Sequence, residues 1–324
     1  MSDRSSFVER GAGPDDAGRR LDKVLRAYLG DLPLSGLYRA LRRRRILVNG
    51  APAEASYRLA VGDVLSFDPA LVSGRVVLSA PAGLSPTGAE GLSLLGDLLV
   101  FASADLLFLN KPRGMLVHGE ESLEERVRAA LADRSRASLS FAPGPLHRLD
   151  RNTSGIVVFP RSSAGARAFT ALVRERRVEK RYLALLEGTV ENAEVWEDRI
   201  GRDGELRRSA VEEGGAPARS VARPLAAGRG YSLVLVELQT GLTHQIRVQA
   251  AARSHPLAGD RKYGGGPFAG GYILHALALR FPEPPFPDVP ERVEAPLPAS
   301  ARDRLDRIFG AEAVRESLES SIIL

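Results

Sequence analysis

The sequence predicts an α+β protein of two domains, a small module of two helices and a hairpin followed by a large mixed sheet. Three observations carry that expectation. The chain has 324 residues, more than the roughly 100–200 of one ordinary domain. Two amphipathic helical patterns and an Asn-Gly turn crowd into its first 67 residues. From about residue 96 onward, apolar runs alternate with turns and a few helices but show no regular strand–helix repeat, which suits a mixed sheet better than a doubly wound one.

Residues 1–15 are polar and glycine-rich, the composition of a flexible tail. "GRRLDKVLRAYLGDL" then places Leu21, Val24, Leu25, Tyr28 and Leu29 at helical spacing. "LSGLYRALRRRR" predicts a second helix, with Ser35 as N-cap and Leu37 and Leu41 facing inward. "ILVNGAPA" predicts a short strand entering an Asn-Gly turn, the strongest short-range hairpin signal. "YRLAVGDVLSF" adds a Gly-Asp turn and another strand, completing a domain over 16–67. Residues 68–95 have linker composition, with one short strand expected in "RVVLSA". The larger domain is expected over 96–310, with strands in "DLLVFAS", "LLFLNKP", "GIVVFPR", "RYLALLEG" and "YSLVLVELQTG". Helices are predicted in "SLEERVRAALADR", "AGARAFTALVRERR" and "THQIRVQAAARS". "DRLDRIFGAEAVRESLES" predicts further helix, and residues 311–324 are set apart as a C-terminal tail.

Composition narrows the chemistry. There is no cysteine, which removes disulfides, thiolate nucleophiles and cysteine-ligated zinc. The five histidines form neither HxH nor HExxH, so no metal site is expected. No run of 18 apolar residues occurs, and "MSDRSSFVERGAGPDD" lacks the apolar core of a signal peptide. The expectation is therefore a cytoplasmic, monomeric protein without membrane attachment. Of 45 cationic residues only Lys23, Lys111, Lys180 and Lys262 are lysine. Arginine's planar fork suits phosphate recognition, although a GC-rich genome produces the same bias.

Two regions hold candidate functional residues. In the small module, Arg42, Arg43, Arg44 and Arg45 end the second helix, with Arg39 one turn back, Lys23 on the first helix and Asn49 in the turn. Such a cluster can bind a nucleic-acid backbone, and equally can be a solvated helix end complementing the dipole. In the large domain, "GPLHRLDRNTSGIVVF" puts Asp150 among arginines at the mouth of an apolar strand. Read locally, Asp150 caps the turn at Asn152–Gly155. Read chemically, it is a nucleophile or general base, since a nearby cation favours the charged carboxylate. Ser154 lies in no G-x-S-x-G elbow, so a serine triad is not expected. In "VEKRYLALLEG", Lys180 and Tyr182 share one face of a strand. Tyr182 can stack on a base or simply pack in the sheet. "LQTGLTHQIRVQAA" crowds His244, Gln245 and Arg247 at a helix start, with Thr243 or Thr240 as N-cap. A cation there runs against the macrodipole, which makes Arg247 a functional suspect.

Taken in order, "LLFLNKPRGMLVHG", "HRLDRNTSGIVVF", "VEKRYLALLEG", "GLTHQIRVQAA", "HPLAGDRKYG" and "LHALALRF" closely resemble the RluA family of pseudouridine synthases over about residues 98–282. "RRLDKVL", "LYRALRRRRILVNG" and "AVGDVL" resemble the S4 RNA-binding domain over about 17–67. The resemblance implies a large, mainly antiparallel mixed sheet with flanking helices. It implies isomerisation of specific uridines in RNA, with 23S ribosomal RNA the expected target, and neither cofactor nor metal. It assigns Asp150 as the catalytic group, Tyr182 to the target base and Arg247 as partner of Asp150. Arg148 falls near the space left by the flipped base, with His147, Lys180 and Thr153 as further substrate-binding candidates. Whether the aspartate attacks the ribose or takes a ribose proton stays open. A synthase acting on transfer RNA, or an RNA-binding protein that has lost activity, would share most of this pattern; the joint presence of Asp150, Tyr182 and Arg247 favours an active enzyme. Two departures stand out: Leu242 replaces the family's usual arginine, and Phe281-Pro282 replaces a His-Pro.

Overall fold

The computed structural model describes residues 7–30, 32–72, 88–132, 138–203 and 208–323. The chain divides into two compact units that alternate along the sequence: one takes 1–96, 124–144 and 160–166, the other 97–123, 145–159 and 167–324. The division expected from composition was contiguous. Residues 124–144 and 160–166 instead join the first unit, and "RVVLSA" lies outside the described residues.

The first unit is built on a three-stranded sheet in the order β1-β3-β2, with β1 at Val8–Gly11, β2 at Ile46–Val48 and β3 at Val64–Phe67. Helices Leu21–Tyr28 and Leu34–Arg42 follow the expected periodicity, with Leu21, Val24, Leu25, Leu29, Leu37 and Leu41 buried in one cluster with Ile46, Leu65 and Phe67. Pro33, not Ser35, occupies the N-cap of the second helix. Asn49 and Gly50 both take positive φ, 50° and 73°, as a type I′ turn requires.

The expected flexible tail is corrected from residue 8 onward. β1 pairs antiparallel along β3, covering the edge that β2 leaves open. Asp16 is fully buried, and its carboxylate accepts hydrogen bonds from Gly13 N, Leu139 N and the hydroxyls of Ser138 and Ser140. The serine and leucine partners lie more than 120 residues away, which is why local composition did not reveal the order.

The second unit carries a ten-stranded sheet in the order β4-β5-β6-β12-β7-β11-β10-β8-β9, with β13 beside β12. The strands are β4 Leu99–Ala102, β5 Leu106–Lys111, β6 Ser154–Pro160, β7 Glu179–Glu187, β8 Glu194–Asp203, β9 Arg208–Val211, β10 Ala216–Gly228, β11 Tyr231–Leu238, β12 Leu274–Arg280 and β13 Arg292–Glu294. Pairing is antiparallel along β12-β7-β11-β10-β8-β9, while β6 runs parallel to β12. One core cluster joins Phe108, Ile156, Val158, Phe169 and Phe281. Another joins Leu183, Leu185, Leu233 and Leu235 with Leu305 and Val314.

The C-terminal residues are helical as expected but are not a tail. Gly310 turns the chain between helices Ala299–Phe309 and Ala311–Ile323. Val314 is fully buried, and Ser321 O accepts a hydrogen bond from Arg181 Nη1.

Strand register fixes the geometry near Asp150. Gly155 of β6 and Tyr182 of β7 both stand opposite Ala276 of β12. The two flanking strands therefore bring the Asp150 turn and Tyr182 to one region of the sheet. Gly155 has φ +113°, and a Cβ there would lie 2.2 Å from Ala276 O and 2.5 Å from Ala276 N. Backbone on both sides cannot yield without breaking the parallel pairing. Gly155→Ala is expected to destabilise the protein by about 3 kcal/mol or more. Thermal unfolding would show this as a clearly lowered melting temperature; an unchanged midpoint would mean the β6–β12 approach is slack.

Candidate active site

Asp150 sits at the head of a tight turn closed by Thr153 N donating to Asp150 O at 3.0 Å. Lys111 anchors this turn from β5. It is fully buried, and its ammonium donates to Pro112 O, Met115 O and Arg151 O at 3.0–3.1 Å. Burial pushes the Lys111 ammonium down to about 8, against the opposing pull of Asp150. Arg151 holds the neighbouring loop, where its Nε donates to Gly114 O and Gly114 N donates back to Arg151 O.

The Asp150 side chain does not cap its own turn. Its Oδ2 accepts from Arg247 Nη1 at 3.1 Å. Arg247 lies in the first turn of helix Gln245–Ala252 and is buried. Its other face is gripped by Asp260, with Nε–Oδ2 at 2.6 Å and Nη2–Oδ1 at 2.8 Å. The rings of Tyr263 and Tyr272 lie 4.8 and 4.9 Å from the guanidinium carbon. Burial by itself would lower the guanidinium, yet hydrogen bonding to Asp260 and the surrounding negative charges raise it above its ordinary value. A permanent cation is thus fixed against Asp150 from a bidentate base, the strong form of such a pair.

The helix start differs from expectation. The N-cap is His244, left-handed at φ 59°, and no threonine caps it. The Thr240 hydroxyl is engaged with Arg219 N and Gln245 Oε1 instead, and Thr243 O accepts from Ser209 Oγ. Gln245 is structural, because its Oε1 also accepts from Leu242 N and its Nε2 donates to Ser220 Oγ.

Asp150, Arg247, Tyr182, Arg148, Thr153 and His244 line one pocket. Tyr182 is buried, and that burial, followed by the Asp150 charge, pushes its phenol up, so it keeps its proton at neutral pH. Arg148 is exposed beside the pocket, whereas Thr153 is buried. Leu242 also borders it and packs on the cluster of Ile200, Ala218 and Val248, so the departure from arginine supplies an apolar wall.

Two expected substrate-binding residues stand elsewhere. The ring of His147 stacks on Phe169, and its Nε2 accepts from Val158 N at 3.1 Å. Burial, aided by the Lys180 charge, pushes it down to about 3. His147 therefore pins the strand and has no free acceptor at that nitrogen. Lys180 is half-buried, lies outside the pocket lining, and is lowered by burial. Sequence alone gives no role to Lys111, Asp260, Tyr263 or Tyr272, and places His244 only at a helix start. Asp260 and Tyr263 fall within "HPLAGDRKYG", but nothing in that string shows that both face Arg247.

In the first unit, Lys23, Arg39, Arg42, Arg43 and Arg44 are exposed or half-buried at the surface. Arg45 is ion-paired with Asp68 at 2.8 Å. The amide of Asn49 is spent internally, donating to Asp63 Oδ1 and accepting from Val64 N. Its place is in the β2–β3 connection and not in a row of free donors.

Comparison with known proteins identifies both parts of the chain. The profile described as RNA pseudouridylate synthase matches residues 105–252, and that of the S4 domain matches 19–65. The ribosomal large subunit pseudouridine synthase C of Vibrio vulnificus is 32% identical, the match covering 87% of this chain and 90% of that protein. Its Escherichia coli K12 counterpart is 30% identical over 92% of this chain and 95% of its own length. Among solved structures, human RNA pseudouridylate synthase domain containing 1 is 28% identical with a TM-score of 0.53, covering 68% of this chain and 94% of that one. Human RNA pseudouridylate synthase domain containing 4, at 22% identity and a TM-score of 0.55, shares the fold. The buried arginine–aspartate pair and the ordered motifs around it thus sit in a chain that belongs to the RNA pseudouridylate synthase family, with an S4 domain at its N-terminal end.

Proposed function

We propose that this enzyme isomerises uridines of 23S ribosomal RNA in the cytoplasm, with Asp150 as its catalytic group. The observation that carries the reading is the contact of Asp150 Oδ2 with a guanidinium that Asp260 and two tyrosine rings hold in place. The reaction breaks the bond between uracil N1 and the ribose, forms one from C5 to the same carbon, and moves one proton from C5 to N1. No electron is gained or lost, so a carboxylate, a cation and a protonated phenol are a sufficient set of groups. Asp150 works on the ribose side. Arg247 keeps its carboxylate oriented, and Tyr182 lies under the base, where the C5 proton passes to it as it gives up its own.

Reaching the uridine requires flipping it from its stack, at a cost of a few kcal/mol. Stacking on Tyr182 returns about 1–3 kcal/mol, and exposed cations supply further binding through phosphate contacts. The ribosomal target follows from the two relatives named as large-subunit synthases, each matching nearly the full chain.

Asp150→Asn preserves shape while removing the charge. We expect it to abolish pseudouridine formation in a 23S transcript, by a factor of about 10³ or more, with RNA affinity changed less than about twofold. Product mapped by carbodiimide reactivity in that variant would refute the role of Asp150. Replacing Arg42, Arg43 and Arg44 together by alanine is expected to weaken RNA binding and reduce the slope of log K against log salt by about 1–3. An unchanged slope would make them a solvated helix end.

A further inference from the structure

The environment of Asp150 contains a second donor that the proposed reaction has not used. His244 Nε2 faces Asp150 Oδ2 at 3.6 Å, on the same oxygen that accepts from Arg247. The opposite nitrogen, Nδ1, lies 2.6 Å from the hydroxyl of Tyr263. That hydroxyl also accepts from Ser209 N at 3.1 Å.

Hydrogen-bond geometry favours one protonation pattern along this chain. A backbone amide only donates, so the Tyr263 oxygen is the acceptor from Ser209. Accepting from Ser209 leaves the phenol proton free to point at His244 Nδ1, and a neutral imidazole accepting there carries its own proton on Nε2, the nitrogen that faces the Asp150 carboxylate. The phenol remains protonated because burial raises Tyr263. Burial likewise lowers His244, against the opposing charge of Asp150, and the nearby cations Arg247 and Lys262 act in the same direction as burial. In this tautomer the histidine presents Nε2–H to the carboxylate.

The backbone holds this arrangement as well as the side chains do. His244 is the left-handed N-cap of the helix that carries Arg247. Ser209 of β9 grips the preceding residue, its Oγ donating to Thr243 O at 2.8 Å while its amide reaches Tyr263. The Tyr263 ring meanwhile lies against the Arg247 guanidinium, 4.8 Å from its carbon. One tyrosine therefore serves both groups on Oδ2, through its face and through its hydroxyl.

We propose that His244 is a positioning residue which, together with Arg247, engages Asp150 Oδ2 and so leaves Oδ1 as the oxygen that meets the substrate, with Tyr263 setting its tautomer. The proposal rests on Asp150 being the catalytic group. The separation of 3.6 Å is longer than a hydrogen bond, and it closes when substrate fills the pocket, as such contacts do in other enzymes.

The test uses the full-length protein and an unmodified 23S transcript. His244→Asn suits a left-handed backbone and keeps an acceptor for Tyr263, but removes the donor toward Asp150. It is expected to lower kcat about tenfold with KM within about twofold, the loss of one hydrogen bond to a charged group. His244→Gln restores an amide donor at the distance of Nε2 and should recover most of that loss. Tyr263→Phe keeps the ring against Arg247 and removes only the hydroxyl. Nitrogen-15 spectra of imidazole-labelled protein should show Nε2–H for His244 in the wild type and a mixture of tautomers in Tyr263→Phe. An unchanged kcat in His244→Asn, no rescue by His244→Gln, or an Nδ1–H signature in the wild type overturns the proposal. The spectra need no turnover, so they decide the tautomer even if Asp150→Asn were to stay active and the catalytic reading itself failed.

Discussion

A buried guanidinium shared by two carboxylates organises the second unit. Arg247 reaches Asp150 with one nitrogen and Asp260 with two. These three groups come from a turn before β6, a helix after β11 and a loop before β12. Removing the cation would leave Asp260, which is 2% exposed, as an unpaired buried charge, a situation that costs about 3–5 kcal/mol. The pairing therefore couples the stability of these loops to the position of the Asp150 carboxylate.

The surrounding layers serve that pair. Lys111 ties the Asp150 turn to β5 through three carbonyl groups. Tyr263 and Tyr272 enclose the guanidinium in ring faces, which also exclude water from it. The close approach of Gly155 to Ala276 sets how near β6 lies to β12, and hence where Tyr182, also opposite Ala276, meets the carboxylate. In the first unit, polar side chains tied into the fold are distinct from those left at the surface. Arg45 and Asn49 are tied to Asp68, Asp63 and Val64, while Lys23, Arg39, Arg42, Arg43 and Arg44 lie at the surface.

Much of this is legible in the residues, and what is not has a physical reason. Helices with apolar residues at 3.6 spacing and strands with apolar runs are readable because the signal is local. β10, "APARSVARPLAAG", escapes a local reading because alanine, arginine and proline carry little strand preference; its pairing with β8 and β11 decides its state. Val8–Gly11 and Ala311–Ile323 look like tails in sequence because each is ordered by partners distant along the chain. Asp150 is marked by its company and Arg247 by breaking the dipole rule, so their pairing is foreseeable. Asp260, Tyr263 and His244 gain their contacts with Arg247 and Asp150 only where distant segments meet. His147 and Asn49 are the reverse case, polar residues whose bonding capacity the fold consumes.

The claim that a forked, two-carboxylate contact makes the site is tested most directly by Arg247→Lys. Lysine keeps the charge but cannot bind Asp260 through two parallel bonds while also reaching Asp150. Pseudouridine formation on a 23S transcript, followed under single-turnover conditions beside the thermal midpoint of the same variant, is the measurement. A rate lowered roughly a hundredfold, the equivalent of about 3 kcal/mol, is expected in protein that still folds. A rate within about twofold of the wild type would contradict the claim, because charge alone would then suffice.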